Sequence, residues 1–197
     1  MADSDGLKQW IRDLLAGRQR QVNDTPELVC AAVLLPLLCK NGEWHVLVTQ
    51  RTQDVEHHKG QISLPGGACE PGDETLMHTA LRETYEEIGV PPATVEVLGT
   101  LDDFPTVTHF VVTPFVGVIP HPLSYRLNPK EVESVVEVPL AFLCDPSRLR
   151  IEQREYEGET FPVLFWDFGP HTIWGATARI LKDFLDLIPD QASLACE

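Results

Sequence analysis

Three glutamates that are close in sequence, Glu83, Glu86 and Glu87, lie on a segment that Pro91 and Pro92 bring to an end. Because each helical residue advances by about 100°, the three carboxylates fall within an arc of roughly 100° on one side of a helix. An apolar stripe occupies the opposite side and consists of Met77, Leu81, Tyr85 and Ile88. The pattern predicts an amphipathic helix that packs through this stripe and presents three negative charges on its other face.

The acidic cluster needs an explanation, since like charges three or four residues apart destabilise a helix by about 0.2 to 0.5 kcal/mol per pair. Divalent cations provide one, because Mg2+ and Mn2+ prefer oxygen ligands and accept several carboxylates. A solvated acidic face is the alternative, and it is the commoner explanation for an isolated run of glutamates. The residues that precede the helix favour a metal-binding site over a solvated acidic face.

The segment before the helix has the composition of a ligand-binding loop. Leu64-Pro65-Gly66-Gly67 places paired glycines after a short apolar strand, where they permit a tight turn and close approach of the backbone. Glu70-Pro71-Gly72-Asp73 then supplies turn-forming residues and a candidate helix N-cap. The sequence therefore predicts a strand, a loop and a helix in this order.

Together these residues resemble the Nudix box, which reads Gly, five residues, Glu, seven residues and Arg-Glu-aliphatic-x-Glu-Glu-x-Gly-aliphatic. The matching residues are Arg82, Glu83, Glu86, Glu87, Gly89 and Val90, while Thr84 replaces the usual aliphatic residue. Glu74 has the spacing from Arg82 that the first box glutamate has, but it lies one residue too far from Gly67. Either Asp73 fills that acidic position, or the loop contains one extra residue.

A second stretch is similar to the coenzyme A diphosphatase branch of the Nudix family. The branch pattern reads Leu-Leu-Thr-x-Arg-Ser, three residues, Arg or Met, three residues, Gly, three residues and Phe-Pro-Gly-Gly. Residues 47–52, Gly60 and residues 64–67 keep its spacing, whereas Thr52, Glu56 and Leu64 depart from it. Shorter similarities extend the resemblance over about residues 28–186 and occur at residues 112–117, 128–132, 138–140 and 174–179.

The resemblance implies that water attacks a phosphorus atom of a nucleoside diphosphate with the help of Mg2+ or Mn2+. It implies that the metal ligands are Glu83, Glu86, Glu87 and the backbone carbonyl of Gly67. The general base is one of these glutamates or Glu131, for which an ordinary surface charge is the alternative. Arg82 is expected to brace the site by pairing with Asp73 or Glu74, with direct phosphate contact as the alternative.

Substrate contacts are expected near the glycine segment, residues 64–67. Cations there offset the repulsion between the negatively charged chain and the phosphates of the substrate. The candidate residues are Arg51, Lys59, Gly60, Gly66 and Gly67. A structural ion pair is an equal alternative for Arg51. Solvent exposure is favoured over metal binding for His57 and His58. Core packing is favoured over stacking on an adenine for Trp44, Trp166 and Trp174.

The resemblance implies that coenzyme A or acyl-coenzyme A is cleaved to 3',5'-ADP and (acyl) 4'-phosphopantetheine. ADP-ribose, NADH or a nucleoside triphosphate are alternative substrates for the same chemistry, because Glu56 departs from the branch pattern. An alternative of another class is a Nudix-fold ligand sensor that hydrolyses nothing. Related enzymes are often dimers, so a homodimer stands as an alternative to a monomer.

The composition bounds the class of protein. A chain of 197 residues with 43% apolar residues suits one domain over residues 1–197, with an N-terminal helix at about 4–16 and a core at about 28–188. The net charge of -15 argues against binding to nucleic acid or to an anionic membrane. No signal peptide or bilayer-spanning run is apparent. The five scattered cysteines favour free thiols and a cytoplasmic location.

The remaining elements complete the predicted fold. Strands at residues 30–39 and 43–50 are joined by an Asn-Gly turn, which predicts a hairpin. Strands are also expected at about 61–65, 94–102, 109–119 and 134–138, followed by a hairpin at about 148–168 and a helix at about 173–188. Many strands with few helices, one of them a crossover, predict an α/β fold with a mixed sheet between helices. The Nudix family has such an α/β/α sandwich.

Overall fold

In the computed structural model, which describes residues 4–53, 59–156, 158–188 and 194–196, strand β1 (Val29–Lys40) forms the centre of the main sheet. Its neighbours run in both directions. Strand β1 is antiparallel to β2 (Glu43–Arg51) and to the short β4 (Gly66–Ala68), and it is parallel to β7 (Phe110–Val118). The sheet is therefore mixed, as the sequence predicts.

Shorter strands extend this sheet on both sides. Strand β2 also pairs with β3 (Ile62–Ser63) and β8 (Val132–Pro139). Strand β7 pairs with β5 (Glu96–Thr100) and β6 (Phe104–Pro105). The predicted Asn-Gly turn joins β1 to β2, and Asn41 and Gly42 both have positive φ angles, of 54° and 80°, which is the backbone conformation that a tight hairpin requires.

Helices cover both faces of the sheet, which confirms the predicted α/β sandwich. Helix α2 (Leu76–Ile88) packs on one face, where Leu34 of β1 belongs to the same apolar cluster. Helices α1 (Ser4–Gly17) and α4 (Gly175–Leu185) pack on the other face, where Leu35 contributes. Successive strand residues point to opposite faces, so β1 is apolar throughout because it serves both layers.

A second, three-stranded sheet follows the short helix α3 (Leu140–Cys144). Its strands are β9 (Leu149–Tyr156), β10 (Glu159–Phe168) and β11 (His171–Trp174). The predicted hairpin is therefore present, and so is the predicted C-terminal helix, but the helix begins at Gly175 rather than at about residue 173. Ile173 belongs to β11 and pairs with Trp166 of β10. The strand ends before Gly175, which has a φ of 64° and begins α4.

The prediction of free cysteines is also wrong, because four of the five form disulfides. Cys30 is bonded to Cys69 and Cys39 to Cys196, while Cys144 has a free thiol. Cys30 and Cys39 both lie on β1, and the fold brings Cys69 and Cys196 next to them, although these cysteines are far apart in the sequence. The argument from free thiols to a cytoplasmic location therefore no longer holds. Within the described ranges, no helix is long and apolar enough to cross a membrane.

Candidate active site

Helix α2 is rotated relative to the prediction from its apolar stripe. Met77 and Tyr85 are 41% and 40% exposed, whereas Glu87 is only 2% exposed. Of the predicted stripe, Ile88 is buried and Leu81 packs against the same apolar cluster. Small residues complete the sheet-facing side, since Ala80 and Thr84 are fully buried and the hydroxyl of Thr84 donates to the carbonyl of Ala80 at 2.6 Å. These small side chains permit close approach to β1, so Glu83 and Glu87 are turned toward the glycine segment, residues 64–67, while Glu86 stays half exposed.

The two ends of α2 are held by local interactions. Thr75, rather than Asp73, is the N-cap, and its hydroxyl accepts a hydrogen bond from the backbone N–H of His78 at 3.1 Å. Gly89 ends the helix with φ of 76°, a left-handed conformation that favours glycine. Both caps hold the glutamates in register with the glycine segment.

Glu87 lies buried between the glycine segment and β2. Its Oε2 accepts a hydrogen bond from the backbone N–H of Gly66 at 3.3 Å, and its Oε1 lies 3.8 Å from Nη1 of Arg51. Burial raises the pKa of Glu87 to about 8, although Arg51 and the Gly66 N–H oppose the shift. The negative charge of this carboxylate is therefore poorly compensated, which makes it suited to a cation.

Glu83 lies directly against Gly67. A Cβ atom on residue 67 would stand 2.6 Å from the carboxyl carbon of Glu83, so only glycine leaves room for this carboxylate. The neighbouring Gly66 is equally confined, because a Cβ there would collide with the backbone of Ala32 and Val33. Residues 66–68, which the sequence assigns to a loop, form strand β4 on β1 and thereby carry Gly67 to the helix.

Arg82 joins the turn before the helix to the helix itself. Its Nε and Nη2 donate to the two carboxylate oxygens of Asp73, each at 3.0 Å. Asp73, not Glu74, is thus the acid that pairs with Arg82, and this ion pair holds the pKa of Asp73 well below its usual range. Arg82 also donates to Glu83 at 2.8 Å. The geometry agrees with a bracing role.

Glu131 approaches the helix glutamates from the loop before β8. Its Oε1 accepts a hydrogen bond from Nδ2 of Asn128 at 3.0 Å. Its charge contributes to the raised pKa of both Glu83 and Glu87, although burial is the main cause for each. The sequence assigns no role of its own to Asn128, although residues 128–132 lie in one of the short stretches that resemble the coenzyme A branch.

The structure thus brings most of the predicted site residues together, but not all of them. The residues that meet are Arg51, Gly66, Gly67, Arg82, Glu83, Glu87 and Glu131. Glu86 is next to them, and its half-exposed side chain accepts from Arg82 at 3.4 Å. Lys59 is exposed on the preceding loop, where Gly60 donates its N–H to the carbonyl of Thr52 at 3.3 Å. Glu56, His57 and His58 lie outside the described residues.

The tryptophans divide into two groups. Trp44 and Trp166 are buried, which confirms core packing for both. Trp174 is 40% exposed and lies parallel to Phe165 with ring centroids 6.1 Å apart, so core packing is wrong for it.

The donor set fits a hard divalent cation. Glu87 is a buried carboxylate that the guanidinium of Arg51 approaches only to 3.8 Å, and Gly67 leaves open the space beside Glu83 that a Cβ would fill. Arg82 holds oxygens of Glu83 and Glu86, and within the described part of the chain no three ligand side chains already form a metal-binding cluster.

Comparisons with known proteins agree with this geometry. The family described as NUDIX domain matches residues 29–161. A Photorhabdus laumondii protein named as an uncharacterized Nudix hydrolase NudL is 39% identical over 151 residues, covering 77% of this chain and 80% of that protein. A protein of the same name from Escherichia coli strain SMS-3-5 is 38% identical over 153 residues, with coverages of 78% and 79%.

Two solved structures share the fold. A MutT/nudix family protein from Enterococcus faecalis has a TM-score of 0.53 at 16% identity and covers 95% of this chain and 75% of its own. A NUDIX hydrolase from Alicyclobacillus acidocaldarius has a TM-score of 0.53 at 22% identity, with coverages of 80% and 91%. The chain therefore belongs to the Nudix hydrolase family, whose members act on pyrophosphate-containing substrates and generally use divalent metals.

Proposed function

We propose that the protein is a metal-dependent diphosphatase that hydrolyses coenzyme A or acyl-coenzyme A to 3',5'-ADP and (acyl) 4'-phosphopantetheine. One observation carries the choice of substrate. The stretch that resembles the coenzyme A branch begins on β2 and ends at the glycine segment, and residues from both parts, Arg51 and Gly66, lie against Glu87. The residues that distinguish the branch therefore flank the carboxylates that the whole family uses.

Glu83, Glu86, Glu87 and the carbonyl of Gly67 would hold Mg2+ or Mn2+. When bound, the metal neutralises charge on the diphosphate and lowers the pKa of the attacking water. Arg51 and Lys59 bind phosphate oxygens, which offsets the repulsion from a chain of net charge -15. The glycines at 60, 66 and 67 allow the backbone to approach the substrate closely.

In the reaction, the water oxygen forms a bond to one phosphorus while the bond from that phosphorus to the bridging oxygen breaks. The bridging oxygen leaves with the second phosphate group. Glu131 accepts the proton of the water, because its loop is hydrogen-bonded to the end of α2 through Asn128 and its charge acts on both Glu83 and Glu87. Arg82 and Asp73 keep the glycine segment and the helix in register during this step.

The test is an assay of the purified protein with Mg2+ or Mn2+ and, separately, coenzyme A, ADP-ribose, NADH and dATP, with products identified by mass spectrometry. Release of 3',5'-ADP and phosphopantetheine with the highest kcat/KM of the panel supports the proposal. Preferential cleavage of another substrate refutes the coenzyme A assignment and keeps the diphosphatase. Absence of metal-dependent turnover on every substrate favours the ligand sensor.

A further inference from the structure

The turn at residues 128–131 is attached to the C-terminal end of helix α2. The backbone N–H of Asn128 donates to the carbonyl of Glu87 at 2.9 Å. The carbonyl of Asn128 in turn accepts from the N–H groups of Glu131 and Val132, at 3.0 and 2.9 Å. A single residue thus connects the backbone of Glu87 to the backbone of Glu131.

The same turn is attached to the end of strand β2. Thr52 donates its N–H to the carbonyl of Glu131 and its hydroxyl to the carbonyl of Lys130, both at 2.9 Å. Thr52 follows Arg51, whose guanidinium lies 3.8 Å from the Glu87 carboxylate. The backbone of Glu131 is therefore fixed relative to both Arg51 and Glu87.

The side chain of Asn128 makes two further hydrogen bonds, which have different structural effects. Its Oδ1 accepts from the N–H of Lys130 at 3.2 Å, which shapes the turn. Its Nδ2 donates to Oε1 of Glu131 at 3.0 Å, which orients that carboxylate. Since a fixed backbone still leaves the rotamers of a glutamate free, the Nδ2 bond is what selects one of them.

We propose that Asn128 is a positioning residue for the hydrolysis, and that its side-chain amide holds the carboxylate of Glu131 in the orientation that accepts the proton of the attacking water. This inference rests on the proposed function, in which Glu131 is the proton acceptor. A displacement of about 1 Å in a reacting group can lower a rate on the order of a hundredfold, so the loss of this bond has a measurable effect.

The Asn128→Asp variant tests the bond, because aspartate keeps the acceptor for the Lys130 N–H and replaces only the donor to Glu131. We expect kcat on the best substrate of the panel to fall by at least about tenfold, while KM changes by less than about threefold. In a Glu131→Gln background, the same substitution is expected to cause no further loss of kcat, because Asn128 acts only through Glu131. Asn128→Ser adds no charge and replaces the Nδ2 donor by a hydroxyl on a shorter side chain that does not reach as far toward Glu131, so it carries the same expectations.

Two controls separate positioning from structural damage. Asn23→Asp is matched, because Oδ1 of Asn23 accepts from the N–H two residues on, at Thr25, in the same type of turn, and we expect it to leave kcat unchanged. Mn2+ affinity measured by calorimetry is expected to stay within about threefold of wild type in Asn128→Asp, because the metal ligands are untouched.

The inference is overturned if both Asn128 variants keep the wild-type kcat, if they lose activity equally in the Glu131→Gln background, or if Mn2+ affinity falls together with kcat. A Glu131→Gln enzyme with wild-type kcat overturns it as well but leaves the diphosphatase intact. Wild-type protein without turnover on any substrate refutes the proposed function itself and the inference with it.

Discussion

Arg82 and Asp73 form two parallel hydrogen bonds of 3.0 Å between guanidinium and carboxylate, and both side chains are largely shielded from water. Such a bidentate pair fixes the relative orientation of the elements that carry it. Here those elements are the turn after the glycine segment and the helix that carries the three glutamates.

Asp73→Asn removes one charge of this pair and is expected to lower both Tm and kcat, because Arg82 would lose its main partner. Glu74→Gln is the matched control, since Glu74 is the neighbouring exposed acid without this pairing. Thermal unfolding and steady-state kinetics of both variants check the expectation. A larger effect of Glu74→Gln would contradict the assignment of Asp73 as the first box acid.

Gly67→Ala places a methyl group 2.6 Å from the Glu83 carboxyl carbon. We expect kcat to fall by at least on the order of a hundredfold, because the added atom displaces a proposed metal ligand. Gly72→Ala is the control, because a Cβ at residue 72 meets no atom within 4 Å and that glycine has no positive φ. If both variants are equally active, the space beside Glu83 has no function.

Because of Glu87, we expect the free energy of unfolding of the metal-free protein to depend on pH in an unusual way. Its pKa is about 8 in the folded state and about 4.3 in an unfolded chain. Between these values the folded state binds more protons than the unfolded state, so the free energy of unfolding falls as pH rises. Glu87→Gln removes this slope and is expected to have the higher Tm at pH 8 in EDTA, while losing turnover.

The control for this experiment is Glu86→Gln, whose side chain is half exposed and which should keep the larger part of the slope, because Glu86 contributes to the raised pKa of Glu83 but not to that of Glu87. Addition of Mn2+ at pH 8 should raise the Tm of the wild type, because a ligand that binds only the folded state stabilises it. It should raise the Tm of Glu87→Gln much less. Identical responses of the two proteins to Mn2+ would argue against Glu87 as a metal ligand.

The disulfides predict a definite count of thiols. Alkylation of the denatured, unreduced protein should modify Cys144 alone, and alkylation after reduction should modify all five cysteines. Intact-mass measurement distinguishes these results. Modification of Cys30 and Cys69 without reduction would show that β1 and the segment after β4 are joined by hydrogen bonding alone in that preparation.

Much of the fold is predictable because it depends on local preferences. Asn41-Gly42 specifies a tight turn, since few residue pairs adopt two successive positive φ angles. Pro91 and Pro92 likewise limit α2, which ends at the left-handed Gly89. The match of Arg82 through Val90 to the Nudix box indicates the family. These signals lie within a few residues of the structure that they specify.

The boundary between β11 and α4 shows where local signals fail. The apolar periodicity at residues 180–188 extends without interruption back to Ile173, so it predicts one helix. Pairing of Ile173 with Trp166 on β10 makes those first residues a strand. The competing partner is Trp166, which lies across the turn that joins β10 to β11, and helical periodicity does not reveal such a strand pair.

The sequence by itself determined the turns, most strands, the helix that carries the three glutamates and the family. Only the tertiary structure decided that Glu87 is buried while Met77 and Tyr85 are exposed, that Asp73 pairs with Arg82, and that Cys30 meets Cys69. The physical reason is that helical periodicity specifies which side chains share a face, whereas the neighbours of that face come from β1 and β4. In this protein Gly66 and Gly67 on β4 leave space beside the helix, so Glu83 and Glu87 lie against that strand instead of facing solvent.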